Sequence, residues 1–130
     1  MIEIDWGNFD ETILIWAFHK NWTANDFIDA IGTSTALIHQ RTTQGTVHIL
    51  LDIQHTQHLP SNMFAIGRKA IQRSMQSNHR GLIVVINQSE LWNRLYDVLE
   101  QMIPNTLNIC FAKDADEAYK LIREAQSLGV

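Results

Sequence analysis

Four side chains able to bind a metal or move a proton crowd the stretch from His48 to His58: His48, Asp52, His55 and His58. Imidazole nitrogens and a carboxylate suit zinc, nickel or copper. The spacing Asp52-x-x-His55-x-x-His58 lacks the helical His-x-x-x-His frame. It falls at the end of a strand-like run and in the loop beyond, where spacing fixes no geometry. Solvated loop histidines beside a strand-end aspartate are the plainer expectation, so no metal or other cofactor is expected. His48 alternates with apolar residues, as a buried, hydrogen-bonded strand histidine does.

Ser61 lies just beyond this cluster, at the start of a helical stretch. As an N-cap it accepts a backbone N–H bond worth about 1 kcal/mol. As a phosphorylation site it would set roughly −1.5 to −2 charges at a helix N-terminus, which the dipole tolerates. Thr56 is the weaker candidate of the same kind. Ser61, His58 and Asp52 have the types of a hydrolase triad, but no Gly-x-Ser-x-Gly elbow occurs and nothing marks an oxyanion hole. Phosphate-cradling loops of the Gly-x-Gly-x-x-Gly or Walker type are missing too. No enzymatic activity is expected from motifs of this strength.

The elements that must position these residues read as β-β-α-β-α-β-α-β-α. Strand-like runs cover Met1–Trp6, Thr12–Phe18, Thr46–Ile53, Leu82–Asn87 and Leu107–Ala112. In the first, Ile2, Ile4 and Trp6 alternate with Glu3 and Asp5, the period of a half-buried strand. A short polar connection then implies an antiparallel hairpin. Leu82 to Ile86 is uninterrupted and β-branched, as in a parallel strand covered on both faces. Helical periodicity marks about Thr23–Thr42, Ser61–Ser77, Ser89–Met102 and Ala115–Leu128. Thr23 with Asp26, and Asp114 with Glu117, have capping-box spacing. Ala118, Leu121, Ile122, Ala125 and Leu128 form the expected inner face of the last helix. The fold class is α/β: one domain over 1–130, with a mixed, mostly parallel sheet of about five strands and four helices.

Composition agrees. The chain has 130 residues, 45% hydrophobic and 18% charged, enough for one well-packed core. The net charge of −4 speaks against a nucleic-acid binder. Arg68, Lys69, Arg73 and Arg80 make a modest basic helix face, expected to be solvated. Cys110 is the single cysteine, so no disulfide forms within the chain, and its apolar run suggests a small buried hydrophobe. No run approaches the length of a bilayer span, and the start lacks a signal-peptide pattern, so a cytoplasmic protein without a membrane partner is expected. Among the four tryptophans, Trp22 sits in a polar loop and is expected to be exposed, as an anchor for a partner.

The pattern resembles the STAS/SpoIIAA-like fold. The likeness rests on the leading hairpin, on His48-Ile49-Leu50-Leu51-Asp52 followed by a loop and helix, and on Gly81-Leu82-Ile83-Val84-Val85-Ile86. It rests also on Leu107-Asn108-Ile109-Cys110-Phe111 and on Asp114-Ala115-Asp116-Glu117-Ala118. The resemblance implies a non-enzymatic regulatory domain of the anti-sigma-factor-antagonist kind, with a regulatory kinase or sensor as protein partner. In that family a serine or threonine opens the helix after the central strand and is phosphorylated. The matching stretch reads His58-Leu59-Pro60-Ser61-Asn62-Met63, which puts Ser61 nearest that position. The SEC14-like branch implies a second function, carriage of a small apolar ligand. An enzyme using Asp52, His55 and His58 is the third. Trp22, His55, His58, Ser61 and Asn62 are the expected docking residues, near the carboxyl ends of the strands at Ile53–His58, Asn87–Ser89 and Ala112–Asp114. A homodimer is expected only on general grounds.

Overall fold

The structure is a computed structural model and describes residues 1–41, 45–56, 65, 81–86 and 109–129. Strands β1 (Ile2–Trp6) and β2 (Ile13–Phe18) form the expected antiparallel hairpin, with Ile2 opposite Phe18 and Trp6 opposite Leu14. Its turn is tied by one side chain. Asn8 Oδ1 accepts from the N–H groups of Thr12 and Ile13, and Asn8 Nδ2 donates to Thr12 Oγ1 at 2.7 Å. This network holds Glu11 at a φ of 55°, the left-handed region that non-glycine residues seldom enter.

Helix α1 (Ala24–Gln40) begins with a full capping box: Thr23 Oγ1 accepts from the Asp26 N–H, and Asp26 Oδ2 accepts from the Thr23 N–H. It stops where Arg41 turns extended. Gly32 and the Thr33-Ser34-Thr35 run are poor helix formers. Packing compensates: Ala30 and Ser34 are buried, and the Thr35 hydroxyl donates to the Ile31 carbonyl. Strands β3 (His48–Asp52), β4 (Ile83–Ile86) and β5 (Ile109–Ala112) follow, and helix α2 (Ala115–Ser127) closes the described chain. Asp114 caps α2 by accepting from the Glu117 N–H at 2.8 Å.

The sheet order is β1-β2-β3-β4-β5, with β1–β2 antiparallel and the other three pairs parallel. Alternation splits the core into two layers. On one face Leu14, Trp16, Phe18, Val47, Ile49, Ile53 and Val85 pack with Phe27 and Ile31 of α1. On the other, Ile13, Leu50, Val84, Ile86 and Ala112 pack with Ala118 and Ile122 of α2. Two helices are thus described; the expected stretches Ser61–Ser77, apart from Ala65, and Ser89–Met102 lie outside the described residues. Leu128 corrects the inner face expected for the last helix. It sits one residue past α2 and is 80% exposed, because the helix ends before its stripe reaches that position. Among the described residues no helix is long and apolar enough to cross a membrane.

Candidate functional site at the carboxyl ends of the strands

Because β2 to β5 run parallel, their carboxyl ends share one edge of the sheet. The loop after β2 leads to the α1 cap, the loop after β3 runs through Ile53 to Thr56, and β5 leads through Asp114 into α2. The first two loops are joined. Trp22 Nε1 donates to Thr56 Oγ1 at 2.9 Å, and the Thr56 N–H turns back to the Ile53 carbonyl at 3.0 Å.

This bond corrects the expectation of an exposed Trp22. The residue is 6% exposed and belongs to the core. Its ring meets Phe18 edge-on, with centroids 5.0 Å apart, and lies 6.1 Å from Phe27. Polar neighbours in sequence gave no sign of this, because the aromatic partners stand on β2 and α1. An indole in such a place needs an acceptor for its N–H, and Thr56 supplies it.

Asp52 ends β3 and turns its carboxylate on its own chain: Oδ1 accepts from the Gln54 N–H at 3.2 Å and from Gln54 Nε2 at 3.0 Å. His55 is exposed beside it. His58, Ser61 and Asn62 lie outside the described residues, as do Arg68, Lys69, Arg73 and Arg80. Among the described residues no three His, Cys, Asp or Glu side chains are grouped to hold a metal ion.

His48 belongs to the opposite edge. It opens β3, so about 13 Å of strand separates it from Asp52 at roughly 3.3 Å per residue. It is fully buried, and its Nδ1 accepts from the Leu82 N–H at 3.0 Å. The accepting nitrogen carries no proton, so the ring is the neutral Nε2–H tautomer. That is the buried, bonded histidine its alternation suggested.

Three further polar groups among the described residues bear on the site. Asp26 is held below the usual carboxylate range, first by the Thr23 backbone N–H and then by the terminal ammonium of Met1 at 3.1 Å. Cys110 is partly buried, and desolvation pushes its thiol up, away from the reactive thiolate. Trp16 Nε1, deep under the α1 face, finds no hydrogen-bond partner among the described residues. Compared with known proteins, the chain matches no family model and no curated protein.

Proposed function

We propose that this chain is a non-enzymatic interaction domain of the STAS-like type. In this reading it works in the cytoplasm and regulates a partner protein, a kinase or a sensor, by docking. The observation that carries the reading is the Trp22–Thr56 bond. It gives the chain running on toward Ser61 a fixed root in the core. A short segment leaving an anchored point presents its side chains with less ordering entropy to lose on binding. His55, His58, Ser61 and Asn62 are the docking residues, and a phosphate on Ser61 is the charge that switches docking off.

The finer architecture belongs to the same proposal. Parallel neighbours need a crossover of about a dozen residues or more, usually a helix. Helices over Ser61–Ser77 and Ser89–Met102 supply the β3–β4 and β4–β5 crossovers. Val85 supports this: it is 1% exposed on the face that carries α1, yet α1 packs chiefly against β1, at the far side of the sheet.

A second reading, carriage of a small apolar ligand, draws support from Trp16. Its buried indole N–H has no partner among the described residues, which costs free energy that a ligand oxygen would recover.

Native mass spectrometry of protein purified from its own host without chelator separates these readings and reports a homodimer at the same time. The expected result is a complex with a partner protein for wild type and Ser61→Ala, and its loss in Ser61→Asp. A lipid-sized adduct on an otherwise free chain would replace the docking reading with the carrier. A metal lost on substituting His55 and His58 would replace it with the enzyme.

A further inference from the structure

Among the described strands β1 stands at the edge of the sheet, and two bonds fix which of its backbone groups face outward. Gly7 N–H donates to the Ile13 carbonyl at 2.7 Å, and His19 N–H donates to the Met1 carbonyl at 3.0 Å. Alternate residues of an antiparallel strand bond the neighbour. Met1, Glu3, Asp5 and Gly7 therefore face β2, and Ile2, Ile4 and Trp6 turn N–H and C=O away from it. Asp5 Oδ1 takes the Trp6 N–H at 2.8 Å. Ile2 and Ile4 have no outward partner among the described residues. An open row of this kind is a template for a further strand.

Side chains along the edge define what fits. Ile2, Ile4 and Trp6 pack toward the α1 layer, while Glu3 and Asp5 stand exposed on the other face. Met1 is 59% exposed and Ile28 41%, and both border the first turn of α1, where the Met1 ammonium meets Asp26. Glu3 has His19 Nε2 at 3.5 Å, and both stay largely exposed. We propose that the β1 edge binds an extended segment of a partner protein, roughly five residues long, in which apolar and basic side chains alternate. The segment bonds to the outward groups of Ile2 and Ile4. Its apolar side chains extend the α1 layer beside Ile2 and Ile4, and its lysines or arginines lie beside Glu3 and Asp5. A second copy of this chain fits poorly: antiparallel pairing centred on Ile4 sets Glu3 opposite Asp5 twice, and like charges in that position repel.

The test titrates the full 15N-labelled chain with two synthetic hexapeptides, one alternating valine with lysine, the other valine with glutamate. The lysine peptide is expected to slow amide exchange at Ile2 and Ile4, leaving Glu3 and Asp5 unchanged. The glutamate peptide should bind at least about threefold more weakly. Ile2→Pro removes an outward donor and no bond to β2, so it should weaken the lysine peptide about fivefold, while a lowered melting temperature would read the separate loss of Ile2 packing against the α1 layer. Glu3→Lys should favour the glutamate peptide instead. Equal affinity for the two peptides, no binding, or protection elsewhere would overturn the proposal. Protection of Ile2 and Ile4 that rises with protein concentration alone would overturn it in favour of a second copy.

Discussion

The bond between Trp22 and Thr56 joins two loops whose side chains lie far apart in sequence, so its strength is measurable as a coupling. Trp22→Phe keeps an aromatic ring against Phe18 and Phe27 and removes the donor. Thr56→Val removes the acceptor at nearly constant volume. Each change should cost about 1 kcal/mol in urea unfolding, and the pair should cost about 1 kcal/mol less than the sum. Strict additivity would mean that the bond contributes nothing to the fold. The alternation that buries His48 is local to β3, but its acceptor role depends on Leu82 arriving just before β4. For the same reason Trp22 read as exposed: its local neighbours are polar, and its burial comes from β2 and α1. A residue's surroundings were legible where one strand or helix decides them, and hidden where two elements meet.

Elements were more legible, because capping and alternation are local. Thr23 and Asp26 cap α1 as their spacing implies, and this makes a titratable device at the helix start. Asp26 is held low in the folded chain, so the folded state binds its proton less tightly than the unfolded chain does. The stabilisation is therefore present above the unfolded carboxylate value, about 3.9, and is lost as pH falls through the lower folded value. Urea midpoints followed from pH 6 to pH 2 should fall on acidification, and Asp26→Asn should make that fall shallower. Identical slopes in the two proteins would show that the carboxylate titrates alike in both states.

The hairpin holds the second element-scale test. A Cβ on Gly7 would stand 2.6 Å from Ile15 Cδ1, 2.9 Å from Ile15 Cγ1 and 3.1 Å from the Tyr119 hydroxyl. The turn after β1 thus brings the Gly7 backbone against a side chain of β2 and one of α2, and a larger residue would have to displace them. Gly7→Ala should cost about 1–3 kcal/mol through this overpacking. Adding Ile15→Val, which removes the nearest of the three atoms, should recover part of the loss in thermal unfolding. A double variant no better than Gly7→Ala would assign the cost to the backbone instead.

At the scale of the whole molecule, the strand order constrains what the two long connections do. From β2 to β5 each parallel step moves one place in the same direction. Crossovers of one hand that all step the same way lie on the same face of the sheet. The first, α1, lies over Trp16 and Phe18, and α2 follows the last strand on the opposite face. In the proposed architecture the connections from β3 to β4 and from β4 to β5 therefore belong with α1. Among the described strands the order from β2 to β5 is unbroken and contains no switch point of the kind that opens a crevice in doubly wound sheets. A spin label separates the alternatives directly. With Cys110→Ala as background, Asp29→Cys labels α1 and Glu124→Cys labels α2. The label on α1 should broaden the amides of residues 61–77 more strongly than the label on α2. The reverse order would place that connection beside α2 and make its crossover left-handed, against the proposed architecture.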